Sequence, residues 1–160
     1  MATNLSGLNN FQKRIKKLSN AINNGNLIST VAEKAVQIAN DKYSVAEYGT
    51  NPTTIMCTST VISPTKARIS AKGDRISYLE YGTGFYAQGS YPADKLPSWW
   101  QYYYPSEFKV TKFYGGEELK GWNNTEYGFC TGQKAGAQMY YTSVELREQI
   151  PNIVEYLLRR

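Results

Sequence analysis

The chain has 160 residues, of which 41% are hydrophobic, 19% charged and none histidine, with a formal net charge of +5. That length suits one domain and can bury a real core, so neither disulfides nor a metal is required for stability. Without histidine, His-based triads, His-ligated metals and His proton relays are excluded, and Cys57 and Cys130 lie too far apart for a Cys-rich zinc knuckle.

No apolar run approaches the ~18–20 residues that span a bilayer. The opening segment lacks the apolar stretch of a secretory signal. A reducing cytoplasm with free thiols is the simplest reading, with a Cys57–Cys130 pair as the alternative. Without an export signal, the glycosylation patterns Asn4-Leu5-Ser6 and Asn123-Asn124-Thr125 read as chance.

Residues 9–23 are predicted to form an amphipathic helix, with Phe11, Ile15, Leu18 and Ile22 on one stripe. Lys13, Arg14, Lys16 and Lys17 cover the remaining surface as a basic face. Asn23-Asn24-Gly25-Asn26 stops this helix, Gly supplying a left-handed cap. A second helix is expected over about Thr30–Lys42, with Thr30 and Glu33 at capping-box spacing. Val31, Ala35, Ile38 and Ala39 form its apolar face.

The period then changes to two. Thr53–Ser63 reads as a strand with Ile55, Cys57, Ser59 and Val61 on one face. Pro64 marks a turn, and Ala67, Ile69 and Ala71 alternate with Arg68, Ser70 and Lys72. After a turn at Lys72-Gly73-Asp74, a third strand is expected at Ile76–Tyr81. Together these predict an antiparallel meander with one face covered by helix.

Aromatic residues make up 14% of the chain, and 15 of the 22 fall between Tyr78 and Tyr127. Gly82–Pro105 breaks both periods and carries Trp99-Trp100 and Tyr102-Tyr103-Tyr104. So long a loop is either functional or disordered, and its aromatic content argues against disorder. Glu107–Tyr114 alternates again, Gly115-Gly116 is a turn, and Tyr127–Thr131 is a short final strand. From Ala137 to Leu158, Met139, Ser143, Leu146, Ile150, Ile153 and Leu157 keep helical spacing through Pro151, which predicts one helix kinked there. Leu146, Ile150, Ile153 and Leu157 should face the sheet.

The chemistry in this pattern is sparse. Gly82-Thr83-Gly84 lacks the Gly-Lys-Ser/Thr ending of a phosphate loop and is better read as a tight turn. Glu80, Asp94, Glu117 and Glu118 flank the aromatic loop, and glycosidases combine two carboxylates with stacking aromatics. Adjacent Glu117-Glu118 is more simply a solvated loop tip. The basic helix suits phosphate contacts, yet no base-reading motif accompanies it. The aromatic loop suits base stacking, a protein interface or a satellite core. The net reading is a protein that is not an enzyme, with no cofactor and no metal.

Two segments resemble one known family. Tyr78-Leu79-Glu80-Tyr81-Gly82-Thr83-Gly84 is similar to the (Val/Leu)-Glu-(Phe/Tyr)-Gly-Thr signature of the tail-completion or head–tail joining (neck) proteins of tailed phages. Gly121-Trp122 followed by Phe129-Cys130-Thr131-Gly132-Gln133-Lys134-Ala135 looks like that family's second signature. The order of elements over about residues 9–158 agrees with it. Gly136-Ala137-Gln138-Met139 departs from the Pro-Phe that often follows there, and the loop at 84–120 is expanded.

The resemblance implies a non-enzymatic virion protein assembled in the host bacterial cytoplasm. It forms a ring, sixfold or twelvefold, that joins the capsid connector to the tail. Its partners would be itself, connector or adaptor proteins, and tail-tube or tail-terminator proteins, with a passing contact to genomic DNA and no membrane. Glu80, Tyr81, Gly82 and Thr83, with Trp99, Trp100, Tyr102 and Tyr103, are the expected interface; an Arg75–Glu80 pair within or across subunits is a further expectation. The alternatives are a nucleic-acid-binding accessory protein using the basic helix and a carbohydrate-binding module using the aromatic loop.

The predicted fold class is α+β. Residues 1–160 form one domain: helices over 9–45, the meander over 53–81, the aromatic loop and a strand over 82–126, and the last strand and C-terminal helix over 127–160. The N-terminal helices and the long C-terminal helix pack on one face of the meander.

Overall fold

The computed structural model describes residues 5–48, 51–52, 54–83, 91–97, 110–114, 117–124, 128–130, 132 and 134–159; the side chains of Leu5, 47–48, 51–52, Ala93 and 110–130 are outside the description. The fold is α+β, with the C-terminal helix packed against a two-stranded antiparallel sheet. Contacts divide the chain into two compact units, each assembled from separated segments. One comprises Met1–Asp41, Met56–Ala71 and Tyr141–Arg160, the other Lys42–Ile55 and Lys72–Tyr140.

In the first unit, helix α1 (Leu5–Asn23) begins at Leu5 rather than at residue 9 and ends as predicted. Gly25 has φ 77, the left-handed conformation that glycine adopts without a Cβ penalty. Helix α2 (Asn26–Ser44) starts directly after it, because the Asn26 N–H donates to Asn24 Oδ1 at 3.2 Å. The expected capping box at Thr30 and Glu33 is therefore inside the helix. The Thr30 hydroxyl donates to the Asn26 carbonyl at 2.9 Å and the Ser29 hydroxyl to Glu33 at 3.2 Å. Within α2, Ala32, Ala35, Ile38, Ala39 and Tyr43 are buried, a stripe turned slightly from the predicted one, with Val31 at its margin.

Strands β3 (Ile55–Ser63) and β4 (Lys66–Gly73) form the sheet of this unit. β4 alternates as predicted, with Ala67, Ile69 and Ala71 half-buried. In β3 only Cys57 is buried, tied to α2 by its N–H donating to Asn40 Oδ1 at 3.0 Å. Ser59 and Val61, expected inside, are exposed, because residues 58–62 are exposed on both faces of the strand. Cys57 is a free thiol, pushed up in pKa by burial.

Helix α4 (Gln138–Arg159) is continuous, with Pro151 inside it. Thr142 and Ile153 are buried, and Leu146 and Leu157 are half-buried on the same line. Ile150, expected to face inward, is 39% exposed, because it sits at the edge of that line. At the far end, Arg14 pairs with Glu155 at 2.8 Å, and Glu155 also meets Arg159 at 3.3 Å. The Lys17 ammonium donates to the Leu158 carbonyl at 3.4 Å, where the negative end of the α4 dipole favours a cation.

In the second unit, β1 (Glu47–Tyr48) and β2 (Asn51–Pro52) are a minimal antiparallel pair absent from the sequence prediction. The third strand predicted at Ile76–Tyr81 is instead helix α3, packed against β1. Leu79 and Glu80 are both buried; a strand would send successive residues to opposite faces, whereas on a helix they stand only ~100° apart. The predicted meander is consequently a two-stranded hairpin. Arg75, with φ 60, starts α3 from a left-handed conformation.

A single turn of 3-10 helix covers Ala93–Lys95. The remaining sheet has the order β5 (Val110–Tyr114), β6 (Glu117–Asn124), β7 (Gly128–Cys130). Tyr114 pairs with Glu117 across β5–β6, and Trp122 with Cys130 across β6–β7. Gly121-Trp122 lies within β6 and precedes the short strand β7, which falls inside the strand expected at Tyr127–Thr131. The Gly115-Gly116 turn lies outside the described residues.

Candidate functional site

The motif Tyr78–Thr83 is the end of a short helix joined to the beginning of a long one. Gly82, with φ 76, closes α3, its N–H donating to the Tyr78 carbonyl at 2.8 Å. The last α3 carbonyls are then taken by the segment before α4: Gly136 N–H donates to Leu79 O at 2.7 Å and Ala137 N–H to Glu80 O at 3.0 Å.

The Glu80 side chain completes the junction in the other direction. It is 4% exposed. Oε2 accepts the Met139 N–H at 3.0 Å and the Tyr43 hydroxyl at 3.1 Å. Oε1 accepts the Tyr140 N–H at 3.3 Å and, at 3.5 Å, the Tyr91 hydroxyl. Met139 and Tyr140 lie in the first turn of α4, whose N–H groups have no partner within the helix. A carboxylate there satisfies two of them and meets the positive end of the helix dipole.

The rings around it extend this cluster. Tyr91 packs edge-on to Tyr81 at 5.1 Å and tilted to Tyr140 at 6.1 Å. The Tyr91 phenol is pushed up to about 12, first by burial, then by the charge of Glu80, with Tyr81, the Glu80 hydrogen bond and Tyr140 adding to it. Burial and then the Glu80 charge also raise Tyr81.

Glu80 and Thr83 were expected at an interface, but both are interior side chains, at 4% and 8% exposure. Glu80 meets two tyrosines and two amides, and Arg75 is not among these partners. Tyr81 is half-buried and Gly82 buried. Trp99, Trp100, Tyr102 and Tyr103 lie outside the described residues. So the structure brings together the Glu80–Thr83 part of the expected site and adds Tyr43, Tyr91 and the first turn of α4. A carboxylate so occupied by donors is built to hold backbone in place.

One signal for this arrangement was present in the sequence. Ala137 stands at the N-cap position of α4, and the first turn has no acidic residue. A helix without a local Ser, Thr, Asp or Asn cap needs an acceptor from elsewhere. The distance between Glu80 and Met139 along the chain hides which one.

The basic face splits in two. Lys13 and Lys16 are exposed, while Arg14 and Lys17 are engaged with the end of α4. The apolar stripe beside them is open as well, Phe11 being 60% exposed and Leu8 and Ile15 similarly so. Among the described residues, no group of three His, Cys, Asp or Glu side chains could hold a metal ion, and no helix is long and apolar enough to cross a membrane. In comparisons with known proteins, no family model, curated protein or solved structure matches the chain.

Proposed function

We propose that this protein is a structural subunit of a tailed-bacteriophage virion, a ring-forming component of the neck that joins the capsid connector to the tail. The observation that carries the reading is the Tyr78–Gly84 segment together with the Gly121–Ala135 segment, which resemble the two signatures of such proteins in the same order. The clamp around Glu80 supports it by giving the first motif a physical purpose: its Glu fixes the start of α4 and its Gly ends α3.

Surface composition also supports assembly. Phe11 and Ile15 on α1, Met56 and Ile62 on β3, and Tyr141 and Tyr156 on α4 are all exposed in the isolated chain. Large exposed apolar patches mark interaction surfaces. In this reading Trp99 and Trp100 anchor contacts to the next subunit or the tail, and the role involves no catalysis.

A nucleic-acid-binding role is the second reading, favoured by four cations and no acidic residue in α1. It is weakened by the engagement of Arg14 and Lys17 with α4. Light scattering coupled to size-exclusion chromatography, with electron-microscopic class averages, tests the proposal. Closed rings are expected. A monomer at every concentration, binding DNA in a salt-dependent way, would replace the neck reading by the second one.

A further inference from the structure

We infer that the exposed apolar stripe of α1 docks on the outward, acidic line of α4 in a second copy of this chain. The inference deepens the ring reading above and depends on it. Leu8, Phe11 and Ile15 follow one another at helical spacing and are each more than half exposed. Nothing in the chain's own contact with α4 covers them: that contact uses Arg14 and Lys17, on the flank of the stripe.

Charge narrows what can cover this stripe. α1 carries Lys13, Arg14, Lys16 and Lys17 and no acidic residue. Two α1 helices packed against each other would bring like charges together, which disfavours a symmetric α1–α1 contact. The complementary surface must be both apolar and acidic.

Among the described residues, exposed large hydrophobic side chains fall on α1, on β3, on α4 and at Val45. β3 contains no charged residue. On α4, Tyr141, Val144, Glu145 and Glu148 are spaced to share one face. Tyr141, Val144 and Glu148 are exposed, and Glu145 is half-buried with its carboxylate accepting from Gln149 at 3.2 Å. Arg147 falls on a neighbouring face. This line is apolar and acidic over two turns, and the stripe of α1 is apolar with Lys16 at its border. A contact between two different surfaces on identical chains is heterologous, and such contacts close into rings or run on as filaments. That is the geometry a neck ring needs.

The test is charge reversal with rescue in the full chain, read by light scattering. Lys16→Glu places an acid at the border of the stripe against the acidic line of α4 and should weaken self-association by about tenfold or more. Adding Glu145→Lys and Glu148→Lys to the same chain should restore it, since every interface regains opposite charges. Phe11→Ser should also dissociate the assembly while leaving the melting temperature of the dilute monomer unchanged, because its phenyl ring is exposed there. Wild-type rings that survive both Phe11→Ser and the lysine reversal would overturn the α1 contact and leave the neck reading standing. Disassembly by the lysine reversal without rescue would overturn α4 as the acceptor. A wild-type monomer would overturn the neck reading and this inference together. The same would follow from a monomer that binds phosphatidylserine vesicles through Phe11, which would assign the stripe to a lipid surface.

Discussion

Glu80 caps a helix that it does not belong to: its Oε2 accepts the N–H of Met139, 59 residues further along the chain, at 3.0 Å. The same carboxylate takes the next amide of α4 and two tyrosine hydroxyls. Buried, it is tolerable only because its lone pairs are filled. That makes Glu80 a sensitive position among the described residues of the second unit.

Glu80→Gln keeps the volume but turns an NH2 group towards donors. At least one hydrogen bond is lost and a buried polar group is left facing another. The expected loss is ~1–3 kcal/mol of unfolding free energy, measured from the urea midpoint. A midpoint unchanged within error would show that the carboxylate contributes nothing to α4.

The tyrosines predict an alkaline limit. In the fold the Tyr91 phenol is raised to about 12, by burial and by the Glu80 charge, against ~10 in an unfolded chain. The protonated phenol is the form the fold prefers, so its contribution is complete below the unfolded value and is lost as pH rises through the folded one. Stability should fall between about pH 10 and 12. Tyr81 shifts in the same direction, so Tyr91→Phe should flatten this decline and not abolish it. Denaturant curves at pH 8, 10 and 11 compare the two proteins; identical slopes would reject the assignment.

Two neighbouring isoleucines of α4 should behave differently. Ile153 is buried and Ile150 is 39% exposed. Ile153→Ala should cost ~2–5 kcal/mol, the usual range for a buried truncation. Ile150→Ala should fall below ~1 kcal/mol. Equal losses would mean that the inward line of α4 runs through Ile150 after all.

The Arg14–Glu155 pair should matter little to stability. Both side chains are about half exposed, and such pairs are worth ~0.2–1 kcal/mol in double-mutant cycles. A cycle with Arg14→Ala and Glu155→Ala should give a coupling in that range at low salt, shrinking towards zero in 1 M salt. A coupling that persists at high salt would indicate a desolvated pair.

Local residue patterns were enough to read the three long helices, the hairpin at Pro64 and the left-handed stop at Gly25. All depend on information within a few residues: helical spacing of apolar side chains, alternation, and glycine's freedom at positive φ. The continuity of α4 through Pro151 was legible for the same reason. Ile76–Tyr81 and Glu80 depended instead on contacts with distant parts of the chain. Six residues with an apolar side chain at nearly every other position satisfy either period, and the choice of helix followed from burying Leu79 and Glu80 together. The roles of Tyr43, Tyr91 and Met139 around Glu80 were illegible because a side chain's hydrogen-bond partners are set by the path of the chain in space, which no local pattern records.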